Sequence, residues 1–330
     1  MTTSAERTIK PELAACIDAE KENTMVRTVI TVREGADALV RREGRPAPVM
    51  ARTVDAVIPG RAYDVPVRIF IPEEGRPLPV MVYYHGGGFA AGNVMLYERI
   101  GRRMAAAAQC IVAVPEYRLA PENRCPAAEE DALAAAQGVR ALLTEKGIPH
   151  EDTLWVGGDS AGGTLAAFVS GAMQDTAAPA AQVLIYPWLD MTASYPSIEE
   201  NCRGETGFPR AELDWYLRQY FRPEDDLRAH SPLFGRMMGR MPRTLLVTAE
   251  FCPFRDEDAA YLARLEAAGV SAARLHFPHM THTFLKFETA CAEEVRRTYE
   301  AVRGFLRQRD CPAFLTGPGQ DGEIFLDISP

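Results

Sequence analysis

The chain has 330 residues, 47% of them apolar and 25% charged, an ordinary globular composition that excludes a disordered or collagen-like chain. Its 36 Lys and Arg against 45 Asp and Glu leave a formal charge of −9, which argues against nucleic acid as a partner, because such a binder needs a basic face. The seven cysteines are scattered, odd in number and never in a C-x-x-C pair, which argues against both a disulfide framework and a zinc knuckle.

Residues 1–50 have helical spacing, as in Leu13, Cys16 and Ile17 or Ala38, Leu39 and Val40, until Pro46 and Pro48 break it. Met1–Lys10 has no apolar h-region, and the longest apolar run, Met104–Val114, is too short to span a bilayer. A cytoplasmic protein with no membrane partner is therefore expected. Val65, Val67, Ile69 and Ile71 alternate with other residues, the period of a half-buried strand. Short apolar runs follow at Pro79–Tyr84, Cys110–Val114, Leu154–Val156, Gln182–Tyr186, Thr244–Ala249 and Ala273–Phe277. Between several of them lie amphipathic stretches: Ala132, Ala136, Val139 and Leu143, then Leu262 and Leu265, then Val295, Tyr299, Val302 and Leu306. Such alternation predicts an α/β fold with a mostly parallel sheet covered on both faces.

Two segments stand outside the alternation: the N-terminal block 1–50, and Met191 to about Phe221 with its aromatic patch Trp215, Tyr216 and Tyr220. An aromatic-rich insertion between strands is either a lid over a site or a connecting helix with its own packing. The tail after Cys311, with Gly317, Gly319 and Gly322, reads as a peripheral hairpin or a frayed end.

Gly158-Asp159-Ser160-Ala161-Gly162 fits G-x-S-x-G directly after the strand Leu154–Val156 and before a helical stretch. A sharp strand-to-helix turn of this kind projects its serine outward. His85-Gly86-Gly87-Gly88-Phe89 follows the strand Pro79–Tyr84, and consecutive glycines let backbone N–H groups point at developing negative charge. No Lys-Ser or Lys-Thr follows, so it is not a phosphate-binding P-loop. The serine needs a base on a late loop. His276 lies inside the strand Ala273–Phe277, whereas His279 and His282 both follow it, and nothing periodic separates those two.

Together with Tyr117-Arg118-Leu119-Ala120-Pro121-Glu122, Ser231-Pro232-Leu233 and His282-Thr283-Phe284, these motifs resemble the hormone-sensitive-lipase-like branch of the α/β hydrolases over roughly residues 5–308. The resemblance implies an α/β-hydrolase core at 51–190 and 222–310, a helical cap from 1–50 and about 191–221, and a peripheral tail at 311–330. It implies Ser160 as nucleophile, His282 rather than His279 as base, and Gly87, Gly88 and Ala161 as oxyanion-hole donors. The implied activity is hydrolysis of short or medium-chain acyl esters of small alcohols, with no metal or organic cofactor. The small-molecule ester is the expected partner, and a homodimer is compatible with the resemblance. Asp159 is read as a brace for the turn. Trp188 is read either as a limit on acyl length or as core packing.

The chain departs from the family at one position. Members carry the triad acid in a D-P-L-x-D-E stretch, which here reads Cys252-Pro253-Phe254-Arg255-Asp256-Glu257. A thiol cannot stabilise an imidazolium as a carboxylate does. Three readings follow: Glu250 or Asp256 substitutes, Ser160 and His282 work as a weakened dyad, or the pocket has turned to other work. That other work would be a family-related lyase, dehydratase or cyclase, or a small-molecule-binding pseudo-hydrolase. Retention of Ser160, His282 and the glycine triplet weighs against a pure receptor. Thr283 stands where glycine is usual, beside the base, and removes no needed group.

Overall fold

The computed structural model describes residues 7–21, 26–204, 206–238, 240–307 and 324–327. Helices α1 (Pro11–Lys21) and α2 (Val29–Glu43) come first, followed by strands β1 (Arg52–Ile58), β2 (Val65–Ile71) and β3 (Leu78–Tyr84). Then α3 (Glu98–Ala108), β4 (Ile111–Pro115), α4 (Ala127–Glu145), β5 (His150–Asp159), α5 (Ala161–Met173) and β6 (Ala181–Ile185) alternate. After α6 (Pro196–Asn201) and α7 (Arg210–Tyr220) come β7 (Arg243–Phe251), α8 (Arg255–Ala267), β8 (Ala272–Thr281), α9 (Ala292–Arg307) and β9 (Ile324–Asp327).

Among the described residues, nine strands form one sheet in the order β1-β2-β4-β3-β5-β6-β7-β8-β9. The six from β4 to β8 are mutually parallel; at one edge β2 pairs antiparallel with β4 and β1 antiparallel with β2, and at the other β9 pairs antiparallel with β8. This is the expected α/β-hydrolase architecture. Nearly every residue of β3, β4 and β6 is buried, which requires cover on both faces and explains why those strands read as continuous apolar runs. Helix α3 packs on α9, and α4 on α5.

Local readings shift in places. The run Met104–Val114 is the end of α3 plus β4. Strand β8 extends to Thr281, which places His279 in the strand and leaves His282 as the residue after it. Of the tail, Ile324–Asp327 pairs antiparallel with β8, and residues 311–323 lie outside the described ones. Among the described residues no helix is long and apolar enough to cross a membrane.

The topology gathers the chemistry at one edge. The glycine triplet follows β3, Ser160 follows β5, Cys252 follows β7 and His282 follows β8, so four distant segments meet at the carboxyl ends of parallel strands.

Candidate active site

Ser160 sits between β5 and α5 with φ 54° and ψ −124°, a left-handed backbone that a residue with a Cβ adopts only under constraint. The constraint is steric. A Cβ at Gly158 would lie 2.3 Å from the Gly162 backbone, and one at Gly162 would lie 2.0 Å from the Tyr84 carbonyl oxygen. Only glycine at both positions lets the turn close on itself and on β3. The strain holds the Ser160 side chain at the strand end, where its Oγ lies 2.8 Å from His282 Nε2.

Asp159 is buried beneath this turn. Its Oδ1 accepts from the Tyr83 hydroxyl at 3.1 Å and its Oδ2 from Tyr97 at 2.8 Å, while the Tyr97 oxygen accepts from the Gly86 N–H at 2.8 Å. The aspartate thus links the serine turn to the start of the glycine triplet. Burial raises its pKa against the opposing pull of Lys286 and the two tyrosines. Nothing in the sequence pairs Asp159 with Tyr97, 62 residues away; the contact forms because the fold brings the residue just before α3 against the end of β5.

Gly87 (φ 133°) and Gly88 (φ 59°) turn the chain so that, among the described residues, neither N–H has a protein acceptor. Ala161 is the first residue of α5, one of the positions whose N–H has no partner within its helix. A Cβ on Gly88 would meet the Tyr216 ring at 2.2 Å, so α7 rests directly on the triplet. Phe208, which precedes α7, lies with its ring 5.3 Å from the imidazole of His282, and Phe254 and Tyr186 approach the same ring at 4.9 and 5.0 Å. Trp188 is buried, stacks on Phe254 at 5.2 Å and donates through Nε1 to the Asp190 carbonyl.

On the other side of the imidazole, Cys252 Sγ lies 3.2 Å from His282 Nδ1. Neither carboxylate considered as a substitute is brought there. Glu250 Oε1 accepts from Arg7 Nε at 2.7 Å and Arg255 at 2.8 Å, and its Oε2 lies 3.2 Å from His276 Nε2. Asp256 accepts from Arg255 Nε through Oδ1 and from the Ser197 N–H through Oδ2. The two acids are occupied by an ion cluster and a helix end, and neither hydrogen-bonds His282. His279 is tied to the N-terminal segment, its Nδ1 2.9 Å from the Thr8 carbonyl.

The electrostatics follow from burial. Desolvation, helped by the charge of Lys286, pushes His282 down to about 3. Burial first, then the neighbouring Asp258 charge, pushes the Cys252 thiol well up, so it is protonated at neutral pH. Asp258, in the first turn of α8, is fully buried, and among the described residues neither of its carboxylate oxygens has a hydrogen-bond partner. Burial holds Asp258 and its neighbour Glu257 well above the usual carboxylate range. Glu250 differs: burial alone would raise it, but His276, Arg255 and Arg7 together bring it down to about 2. Among the described residues no carboxylate hydrogen-bonds His282, whose ring nitrogens face Ser160 and Cys252. The site can deliver an aligned hydroxyl, an imidazole acceptor and free N–H donors, but it holds the imidazole with weak basicity.

Residues 81–286 match the model of the alpha/beta hydrolase fold family. The chain is 34% identical over 254 residues to the carboxylic ester hydrolase LipN of Mycobacterium tuberculosis, covering 74% of this chain and 67% of that one. It is 33% identical over 239 residues to an ethyl acetate hydrolase of Pseudomonas putida, covering 70% and 74%. Among solved structures, the hyperthermophilic esterase of Pyrobaculum calidifontis superposes with a TM-score of 0.82 at 34% identity, over 91% of this chain and 98% of the other. The chain belongs to the α/β-hydrolase family, in its hormone-sensitive-lipase-like branch of carboxylesterases.

Proposed function

We propose that the protein is a serine carboxylesterase for short or medium-chain acyl esters, with a histidine left weak by the cysteine beside it. The observation that carries the reading is the 2.8 Å approach of Ser160 Oγ to His282 Nε2 at a strained strand-to-helix turn. Ser160 attacks the ester carbonyl as its proton passes to Nε2, and the N–H groups of Gly87, Gly88 and Ala161 hold the oxyanion. The imidazolium returns its proton to the leaving alkoxide, and a water activated by the same nitrogen frees the acyl group. His282 Nδ1–H donates to the Cys252 sulfur, which keeps the tautomer and ring orientation but brings no negative charge to offset the imidazolium.

The helices of 1–50 and 191–221 act as a cap over this edge of the sheet, a division supported by Tyr216 and Phe208 lying on the site. The buried aromatics around the imidazole favour a small acyl group, in keeping with a relative named for ethyl acetate. Among the described residues Cys110, Cys125, Cys202, Cys252 and Cys291 are in no disulfide, which suits a reducing compartment such as the cytoplasm.

The test is labelling with a fluorophosphonate together with turnover of p-nitrophenyl acetate, butyrate and octanoate. Ser160 is expected to be the labelled residue, with acetate or butyrate turned over faster than octanoate, and Ser160→Ala to lose both signals. A folded protein that neither labels nor hydrolyses any of the three esters would refute an esterase and leave the lyase or binding-protein reading.

A further inference from the structure

A second cluster of chemically active side chains lies away from Ser160, at the seam between the end of α7 and the start of α4. Cys125 lies just before α4, Glu129 is in the first turn of that helix, and His230 comes from the loop between α7 and β7. His230 Nδ1 is 3.0 and 3.1 Å from the two Glu129 oxygens and 3.3 Å from Cys125 Sγ, and Sγ is 3.7 Å from Glu129 Oε1. Cys125 and Glu129 are buried, and His230 is part-exposed, which leaves a route from solvent.

Three different ligand types thus form a nearly equilateral triangle. A tetrahedral ion with bonds of 2.0–2.3 Å to S, N and O needs edges of about 3.3–3.6 Å, so the observed 3.0–3.7 Å brackets that shape. The centre of such a triangle lies about 1.9 Å from each corner, so an ion slightly above the plane reaches all three at ordinary bond lengths. We propose that Cys125, Glu129 and His230 form a binding site for a zinc-class divalent ion, with the fourth position open to water.

The donor set selects the metal. A thiolate and an imidazole exclude calcium and magnesium, which take oxygen ligands, and favour a borderline-soft ion. Local charge agrees. Asp225 and Asp226 join Glu129 in acting on His230, while the nearby guanidinium of Arg222 donates to the Cys125 carbonyl and pairs with Asp225. Binding replaces the Cys125 thiol proton by the metal, so about one proton is released per ion, with more where His230 is protonated beforehand.

The site would fasten the end of α7 to the core. The Cys125 N–H donates to the Tyr220 carbonyl, and the Tyr220 ring stacks at 4.1 Å on Phe89, next to Gly88. The ion therefore stabilises the covering of the esterase site without entering its chemistry, and the inference does not depend on that activity.

The test uses the tag-free full chain, stripped with a chelator and titrated with Zn2+ by calorimetry and with Co2+ by absorption. The expected result is one equivalent bound with a thiolate-to-cobalt band, and about one proton released at neutral pH. Cys125→Ser and His230→Ala, each checked for native circular dichroism, are expected to weaken binding at least tenfold and to abolish or shift the band. Cys291→Ala and Ser160→Ala are expected to leave both unchanged. Absence of a saturable equivalent in the wild-type chain, or an unchanged cobalt band in folded Cys125→Ser, would overturn the proposal. A Cys125→Ser variant that fails to fold leaves His230→Ala, on the part-exposed residue, to decide it by the same readings.

Discussion

Replacing Cys252 by aspartate restores a carboxylate to the imidazole. The sulfur lies 3.2 Å from His282 Nδ1, and an aspartate oxygen reaches one bond further, so a small side-chain rotation makes an N–H···O⁻ hydrogen bond. An imidazole held at about 3 rather than its ordinary 6.5 resists protonation by about 5 kcal/mol. That matches the roughly 10⁴-fold, or about 5 kcal/mol, lost when a triad acid becomes an amide. Because the proton is only partly transferred at the transition state, Cys252→Asp should raise kcat for p-nitrophenyl acetate by about 10²–10⁴-fold. The acid limb of the kcat/KM profile should move up from about 3 toward 6.5 in the same variant. The assay is steady-state kinetics from pH 4 to 9, where the wild type should show no acid limb and the variant one, with active-site concentration set by fluorophosphonate titration. An unchanged rate and an unchanged acid limb, in protein that still labels at Ser160, would refute the view that the missing charge limits this enzyme.

Further outcomes follow from the same geometry. Glu250→Gln and Asp256→Asn should change kcat by less than about threefold, since neither touches His282, while Glu250→Gln lowers the urea midpoint by removing the centre of a part-buried ion cluster. A loss of more than tenfold in either would place a carboxylate in the proton path after all. Gly88→Ala drives a methyl into the Tyr216 ring and should cost about 10²-fold in kcat, with partial recovery in Gly88→Ala/Tyr216→Ala. Gly87→Ala meets the Ala91 carbonyl instead, a backbone atom that no second substitution removes, and recovery there would contradict the steric account. Asp258 has a folded-state pKa raised above its unfolded value, so its contribution to stability is present below about 3.8 and is lost as pH rises through the folded pKa. Asp258→Asn should therefore gain on the wild type in urea midpoint between pH 4 and pH 8, and a constant difference would show that the carboxyl is not desolvated.

Much of the catalytic site was legible because its parts are local. A serine between glycines at a strand end, three glycines after another strand, and a histidine after a third are each short segments whose backbone geometry follows from the residues themselves. The alternation of apolar runs with amphipathic stretches likewise determined a parallel sheet, because strands buried on both faces cannot contain polar residues at every second position. What the sequence left open were matters of which distant side chains meet. Two late histidines were equivalent in pattern until β8 extended through His279 and released only His282 at its end. The two acids weighed as substitutes near Cys252 were separated by β7 and α8, which turn Glu250 toward Arg7 and His276 and Asp256 toward Ser197. Cys125 and His230, 105 residues apart, carry no shared spacing at all, yet the fold sets their ligand atoms 3.3 Å from each other. The sequence by itself determined the class of fold and pointed to the candidate nucleophile and donors, since those rest on local backbone geometry. Only the tertiary structure decided which side chains meet, with His282 between Ser160 and Cys252 and His230 beside Cys125 and Glu129, because burial and long-range contact are properties of the packed chain and not of any segment in it.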